Sequence, residues 1–198
     1  MSAIALSGGV DSFIVARRLL DEGEPLELAV FVDFKDCAGE REREACMISA
    51  EALGLPVHIV EVAGIFPARR DDGNIGLLYK YPINVFLAAS VARSKGIMRL
   101  HTGDPVLTGS ELPYVKNISG ALMTSALIQP GVELVCHRQL TAEEKAEFLL
   151  AHGIDEHNYW FATCNYHTEC GRCFGCRNKQ DLFNALRSLR SSEHSTTS

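Results

Sequence analysis

Long apolar runs are missing from this sequence. No stretch of about 18 or more uninterrupted apolar residues occurs, so we expect no transmembrane helix and no membrane partner. Positive charge is also scarce, because 19 Lys and Arg stand against 25 Asp and Glu and the formal net charge is −6. Proteins that hold nucleic acid by its phosphates are usually basic, so we expect no stable nucleic-acid binding.

The first residues do not have the pattern of a leader sequence either. The chain enters a strand-like run at once, without a basic region followed by an apolar one, so we expect no signal peptide and a cytoplasmic location. In that compartment the seven Cys are expected to be thiols or metal ligands rather than disulfides. With 198 residues, 46% of them apolar, the chain can build one domain, with or without a small appendage.

Apolar runs alternate with amphipathic stretches along the chain, which predicts an α/β fold: a parallel five-stranded sheet flanked by helices. The predicted strands are residues 3–6, 28–32, 57–62, 98–102 and 133–136. The predicted helices are residues 12–22, 40–53, 84–95, 117–127 and 142–152. Residues 64–83 are predicted to form a long connection near the site. The run EREREAC in the second helix is predicted to be a solvated face with internal ion pairs.

We expect the chain to be organised in three segments. Residues 1–155 form the main α/β domain, and residues 156–187 form a small metal-binding segment packed on it. Residues 188–198 are rich in Ser and Thr and carry almost no apolar side chains, which predicts a disordered tail.

The stretch IALSGGVDS, residues 4–12, predicts an anion-binding loop between the first strand and the first helix. Gly8 and Gly9 let main-chain N–H groups approach a ligand without an intervening Cβ, and the helix N-terminus adds unsatisfied donors. Asp11 would repel a bare phosphate, so it indicates either Mg²⁺ or a helix cap, a role that Ser12 could also take. The pattern GxxxxGK[ST] is absent, which excludes the common NTPase loop.

Ser7-Gly8-Gly9-Val10-Asp11-Ser12 resembles the SGGxDS signature of the PP-loop ATP pyrophosphatases. The resemblance implies that the chain binds ATP by its phosphates and activates a carboxylate or carbonyl oxygen, with Ser7, Asp11 and Ser12 in the catalytic role. Strands of a parallel sheet bring their carboxyl ends to one edge, where ligands bind, so the ATP site is predicted to include residues that follow three strands. The predicted ATP-binding residues are Leu6, Ser7, Gly8, Gly9, Val10, Asp11, Ser12, Asp33, Phe34, Thr102 and Gly103.

Four cysteines stand close together in CNYHTECGRCFGC, residues 164–176. Cys164, Cys170, Cys173 and Cys176 offer the four thiolates that suit tetrahedral Zn²⁺ in a structural site, which is closed and leaves no position for substrate. An iron–sulfur cluster and unliganded buried thiols are the alternatives. A metal there would pin Trp160 and Phe161 onto the domain, and the segment is expected to form one wall of the pocket.

The remaining cysteines lack this spacing. Cys46 falls in a helical pattern and Cys136 ends a strand, so both are expected in the core. Cys37 follows the second strand, and its alternatives are a plain thiol or a catalytic thiol for sulfur transfer.

A PP-loop near the start and a C-x5-C-x2-C-x2-C cluster near the end together resemble the 7-cyano-7-deazaguanine synthases. The segments VDFKDCAGEREREACMISAEALGLPVHIVEV, YPINVFLAASVARSKG and CGRCFGCRNKQDLF carry the rest of the likeness. The resemblance implies a ligase that converts 7-carboxy-7-deazaguanine to the nitrile through an amide, with ATP, Mg²⁺ and ammonia. It is also compatible with a homodimer.

Substrate recognition is assigned to polar residues near the strand ends. The predicted substrate-binding residues are Asn84, His101, Asp104 and Glu111. For several of them a structural role is the alternative: Asn84 could cap its helix, and Asp33 could cap a turn rather than touch ribose. The chain departs from the resembling enzymes at Ile83, where they carry Arg, and in the loop DPVLTGSELPY, residues 104–114. A divergent PP-loop ligase acting on another carboxylate or an RNA base, and a non-catalytic relic, are therefore the competing hypotheses.

Overall fold

The computed structural model describes residues 1–35, 39–63, 68–69, 75–76, 80–103, 131–164 and 169–195. A parallel sheet of five strands has the order β3-β2-β1-β6-β7. Its strands are β1 (Ser2–Ala5), β2 (Leu26–Asp33), β3 (Val57–Glu61), β6 (Arg99–Thr102) and β7 (Glu133–Cys136). Two short strands, β4 (Ala68–Arg69) and β5 (Ile75–Gly76), pair antiparallel. The helices are α1 (Val10–Asp21), α2 (Gly39–Leu53), α3 (Lys80–Ser94), α4 (Ala142–Ala151) and α5 (Phe174–Ser195).

Helices cover both faces of the sheet, so its strands are buried on two sides and their sequences are almost continuously apolar. Side chains alternate along β1: Ile4 packs in the cluster that contains α1, α2, α4 and α5, whereas Ala5 packs in the cluster that contains α3. The predicted parallel five-stranded α/β fold is therefore confirmed.

Strand β1 lies at the point where the strand order reverses, with β2 on one side and β6 on the other. In open α/β sheets this is where the loops beyond the carboxyl ends of the strands diverge and leave a crevice for a ligand. The glycine-rich stretch follows β1 directly, so the fold places it at this crevice.

The helices depart from the sequence prediction most clearly at α3 and α5. Helix α3 begins at Lys80, four residues before the predicted start at Asn84. The predicted helix over residues 117–127 lies outside the described residues. Helix α5 was not predicted.

Helix α5 continues to Ser195, through most of the segment for which a disordered tail is predicted. Leu189 packs against the main core, and Arg190 forms an ion pair with Asp155 at 3.0 Å. Among the described residues, none of the helices is long and apolar enough to cross a membrane. The predicted domain boundaries stay a prediction.

Candidate active site

The loop after β1 is fixed by close packing against helix α2. Gly8 has φ +77°, a left-handed conformation that glycine adopts at little cost. A Cβ at this position would lie 2.3 Å from the carbonyl oxygen of Glu42 and 3.2 Å from the amide nitrogen of Cys46. The main chain of α2 therefore leaves no room for a side chain at Gly8.

Helix α1 begins with an uncapped N-terminus. Its N-cap residue is Gly9, in an extended conformation and without a side-chain cap hydrogen bond. The Ser12 hydroxyl donates to the carbonyl oxygen of Gly9 at 2.9 Å and accepts from the amide of Ser7 at 3.3 Å. The prediction that Asp11 or Ser12 caps the helix is thus wrong, because helix α1 starts before both residues. No side-chain cap occupies the N-terminus of this helix, so N–H groups of its first turn are available to bind an anion.

Asp11 has a partner that the sequence did not indicate. Its carboxylate lies 2.7 Å from the ammonium group of Lys145, which comes from α4. Lys145 is only 8% exposed, whereas the Asp11 side chain is 42% exposed. The charge that would repel a phosphate is therefore balanced by a buried cation. One sequence feature could have indicated that Lys145 is buried: it stands beside Ala146 and one turn before Leu149, in the buried stripe of α4.

A cavity of about 540 Å³ opens beside this ion pair. This volume falls in the range of small-molecule sites, roughly 300–1,000 Å³. Its walls come from the start of α1, the start of α4, the segment of residues 159–163, and α5. The lining residues include Gly9, Asp11, Lys145, Tyr159, Thr163 and Lys179. The expectation that the segment next to the cysteines forms one wall is met.

Two hydroxyl groups in the cavity wall are buried and have no hydrogen-bond partner in the described part of the chain. They belong to Tyr159 and Thr163. Burial raises the pKa of Tyr159, with the carboxylates of Asp11 and Glu169 adding to the effect, so the phenol is protonated and can donate. An unsatisfied buried polar group costs about 1–3 kcal/mol, which favours a ligand or solvent in this cavity.

The carboxyl end of β2 carries a cluster of ion pairs. Asp33 is buried; its carboxylate accepts from the amide of Lys35 at 3.0 Å and from the Lys35 ammonium group at 2.7 Å. Arg43 lies 3.5 Å from the same carboxylate and 3.0 Å from Glu61. Although burial opposes it, hydrogen bonding to Lys35 keeps the pKa of Asp33 below its ordinary value. The turn-capping role predicted for Asp33 is thus present, and a ribose contact stays a prediction. Phe34 is buried beside it.

Helix α2 forms ion pairs with other elements. Arg41 pairs with Glu169 at 3.4 Å, and Arg43 pairs with the strand ends described above. Ion pairs within the helix stay a prediction.

The carboxyl end of β6 approaches the loop closely. A Cβ on Gly103 would lie 2.7 Å from both the Cα and the amide nitrogen of Ser12. Thr102 precedes it and is buried. The structure therefore brings Gly103 to the start of α1, as the predicted site requires.

The predicted substrate-binding residues lie on different elements or outside the described residues. Asn84 lies inside α3, so it does not cap the helix; its side-chain oxygen is buried with no partner among the described residues. The His101 ring nitrogen Nδ1 lies 3.0 Å from Nε2 of His137. Nε2 of His101 lies 3.9 Å from Glu24, which follows the end of α1 opposite the loop. These contacts do not bring His101 to the loop. Asp104 and Glu111 lie outside the described residues.

The four predicted metal ligands form one cluster. All four sulfur atoms of Cys164, Cys170, Cys173 and Cys176 lie within 4.8 Å of one another. The Cys170–Cys176 and Cys164–Cys173 sulfur pairs are 4.0 and 3.8 Å apart. A tetrahedron with Zn–S bonds of about 2.3 Å has edges of about 3.8 Å, so the residues fit a single tetrahedral ion.

Main-chain amides orient these sulfurs. The amides of Cys170, Cys173 and Cys176 each donate to the sulfur of a preceding cysteine of the cluster at 3.4 Å. Hydrogen bonds from the amides of Arg172 and Cys173 lower the pKa of the Cys170 thiol to about 6, and the residue is half-buried. The cluster therefore favours a thiolate at that position, as metal binding requires.

The cysteine segment is joined to the loop by a short stretch of main chain. The amide of Ala162 donates to the carbonyl oxygen of Gly8 at 3.0 Å. Phe13 of α1 contacts the rings of Trp160 and Phe161 at 5.6 and 5.1 Å between centroids. The Trp160 indole donates to the hydroxyl of Ser49 at 3.0 Å. The segment thus packs on α1 and α2 at the loop.

Cys46 and Cys136 lie outside the four-cysteine cluster. Cys46 is buried in the main core, where burial raises the pKa of its thiol to about 12, as expected for an unreactive thiol. Cys136 is half-buried at the end of β7 and packs against the α3 cluster. Cys37 and His167 lie outside the described residues.

The fold is a parallel five-stranded sheet flanked by helices, with a glycine-rich loop after the first strand, and solved structures share it. Among solved structures, the U34-tRNA thiolase NcsA from Methanococcus maripaludis with its 4Fe-4S cluster has a TM-score of 0.54 and 15% identity. The match covers 98% of this chain and 72% of that one. The NMN synthetase from Francisella tularensis has a TM-score of 0.50 and 16% identity, with 79% and 63% covered. No family model matches the sequence, and no curated protein matches it significantly.

Proposed function

We propose that this chain is an ATP-dependent ligase that activates a carboxylate for attack by ammonia. The observation that carries the proposal is the uncapped N-terminus of α1, held by the tightly packed Gly8 beside a cavity of about 540 Å³. Fixed N–H dipoles stabilise charge that develops on a leaving group. The start of α1 would hold the β- and γ-phosphates of ATP in this way.

The proposed ATP site extends along the carboxyl edge of the sheet. Main-chain groups of Phe34 after β2 and of Thr102 and Gly103 after β6 would flank adenine and ribose, on either side of the loop. Mg²⁺ would supply further positive charge at the leaving pyrophosphate, and Asp11 is the carboxylate available to hold it. Ser7 and Ser12 shape the loop through their mutual hydroxyl contact of 3.3 Å.

The proposed chemistry has two activations. A substrate carboxylate oxygen attacks the α-phosphorus of ATP, pyrophosphate leaves, and ammonia then displaces AMP to give an amide. The amide oxygen attacks a second ATP, pyrophosphate leaves again, and loss of AMP with a proton gives the nitrile. We propose this reaction class because the combination of loop and cysteine cluster resembles the 7-cyano-7-deazaguanine synthases, and 7-carboxy-7-deazaguanine is the substrate we propose. The partner molecules are this acid and free ammonia.

We further propose that Zn²⁺ occupies the four-cysteine cluster in a structural role. The short sulfur–sulfur distances support a single ion, because an iron–sulfur cluster inserts several metal and sulfide ions between its thiolates.

A second candidate function is activation of an RNA base. Its support is the fold similarity to a U34-tRNA thiolase. The acidic composition of this chain argues against it.

The test is pyrophosphate release from ATP with Mg²⁺ and ammonia, together with mass spectrometry of the product. The proposal expects release that depends on 7-carboxy-7-deazaguanine, with the amide and then the nitrile as products. Release that depends on tRNA supports the second candidate, and no nucleotide consumption with any acid or RNA refutes both.

A loop variant makes the assay specific. Gly9 has an extended backbone, and a Cβ there would meet no atom closer than 3.4 Å. Gly9→Ala should therefore keep its stability and lose at least about tenfold in pyrophosphate release, because the methyl group stands at the loop surface facing the cavity. Gly23→Ala, remote from the loop, is the control with unchanged release.

A further inference from the structure

Lys145 is the one buried cation among the described residues that line the cavity, and nothing in the SGGxDS pattern points to it. Burying an ammonium group is costly unless it is paired. Its partner in the structure, Asp11, is itself 42% exposed and faces the same cavity. The Lys145 ammonium group is thus shielded from water next to the loop, whereas the Asp11 carboxylate stays accessible to a competing ligand.

The opposite wall provides a second, independent observation. The hydroxyls of Tyr159 and Thr163 are buried in the cavity wall and have no partner in the described part of the chain. Both are donors when neutral. Lys145, the first turn of α1 and two residues with hydroxyls unpaired in the described structure therefore line one cavity, and their donors suit the oxygens of a phosphate group.

Lys179 offers a contrast within the same cavity. Its ammonium group pairs with Glu169 and lies 5.3 and 5.1 Å from the ring centroids of Tyr159 and Phe183. These contacts hold it against α5 and the aromatic wall. The two lysines thus differ in their surroundings: Lys145 is next to the loop, and Lys179 is tied to the cysteine segment.

We propose that Lys145 and the Tyr159 hydroxyl form a phosphate subsite in this cavity, and that Lys145 exchanges Asp11 for a phosphate oxygen when the nucleotide binds. The exchange releases the Asp11 carboxylate for Mg²⁺, so that phosphate and Mg²⁺ binding reinforce each other. The inference rests on the proposed function and deepens it. It assigns a positioning role to Lys145 and a ligand contact to Tyr159.

The test is calorimetric titration of the full chain with inorganic pyrophosphate, first without Mg²⁺ and then with it. Without Mg²⁺, Lys145→Met should bind at least about tenfold more weakly, because a charge-assisted hydrogen bond is lost. Lys145→Arg should restore part of the affinity. Asp11→Asn should bind more tightly than the wild type without Mg²⁺, since it frees Lys145, and should lose the gain that Mg²⁺ gives. Lys179→Met is the matched control and should bind as the wild type.

Tyr159→Phe separates a ligand contact from a structural role. Because the hydroxyl has no partner in the described structure, its removal should leave the melting temperature unchanged or raise it, while pyrophosphate affinity falls by about two- to tenfold. A hydroxyl that serves only solvent would leave the affinity unchanged.

Unchanged affinity in Tyr159→Phe overturns the contact assigned to Tyr159, and three other outcomes overturn the inference as a whole. One is unchanged pyrophosphate affinity in folded Lys145→Met. Another is Asp11→Asn that binds no more tightly than the wild type without Mg²⁺, which decides the matter if Lys145→Met does not fold. The third is a wild type that releases pyrophosphate from ATP but binds none in this cavity. Failure of the wild type to consume ATP at all refutes the proposed function instead.

Discussion

Replacing Gly8 by Ala tests the packing that holds the loop against helix α2. The methyl group meets two penalties. The left-handed backbone at φ +77° costs a non-glycine residue about 1–2 kcal/mol. The Cβ would also stand 2.3 Å from the Glu42 carbonyl oxygen, so the loop and α2 must separate, and overpacking of this kind costs about 1–3 kcal/mol. We expect Gly8→Ala to lose about 2–5 kcal/mol of the free energy of unfolding.

The matched control is Gly23→Ala. Gly23 has nearly the same backbone, φ +79°, but no atom lies within 4 Å of the Cβ position. It should lose only the backbone penalty, about 1–2 kcal/mol. Urea unfolding followed by circular dichroism measures both losses, provided that the dependence on urea is the same in each variant. Equal losses in the two variants would show that α2 does not constrain the loop, and the reasoning about Gly8 would then be wrong.

Two further predictions concern the metal and pH. Removal of metal by a chelator should lower the melting temperature by about 2–4 °C for each kcal/mol of metal-binding free energy that the folded chain loses, and added Zn²⁺ should restore it; an unchanged melting temperature after verified metal removal would contradict a structural metal. Burial lowers the pKa of His101 to about 4, and the neighbouring His137 adds to the effect. At His101 the unfolded chain binds a proton near pH 6.5, whereas the folded chain binds it only near pH 4. The free energy of unfolding therefore decreases as the pH falls through this window. The loss between pH 7 and pH 4.5 should be about 2 kcal/mol in urea unfolding, and His101→Gln should lose less over the same interval; an equal loss would assign the effect to other groups.

The sheet could be predicted from the sequence because its strands are buried on both faces. Such strands have short, continuous apolar runs, and all five runs that predicted strands coincide with strands in the structure. The glycine-rich stretch was equally informative, since few structures other than a strand-to-helix turn need Ser-Gly-Gly directly after an apolar run. Its detailed capping was not predictable, because Gly9 ends up as the N-cap and frees Asp11 for another partner.

Helix α5 illustrates why the rest could not be predicted. Its sequence is rich in Arg, Ser and Asn, and its apolar residues Leu182, Leu186 and Leu189 fall at helical spacing within a polar background. The stripe identifies a packed helix only when the rest of the core is known, because these leucines pack on residues from distant parts of the chain. The same reason applies to Lys145 in the site. Its role depends on its contact with Asp11 near the start of the chain, and no local sequence pattern indicates that contact.

The cysteine cluster acts on the loop through main-chain geometry. A Cβ on Gly175 would lie 1.6 Å from the Thr163 carbonyl oxygen, so α5 can approach this segment only because residue 175 lacks a side chain. Ala162, which donates to Gly8, stands two residues before the ligand Cys164. An extended chain spans at most about 3.6 Å per residue, so roughly 7 Å of main chain separates a metal ligand from the residue bonded to the loop. A metal that fixes Cys164 therefore also fixes the position of the Ala162 amide, and with it the Gly8 carbonyl, without contacting any substrate. This is the physical reason to expect that a closed, structural metal site affects nucleotide binding.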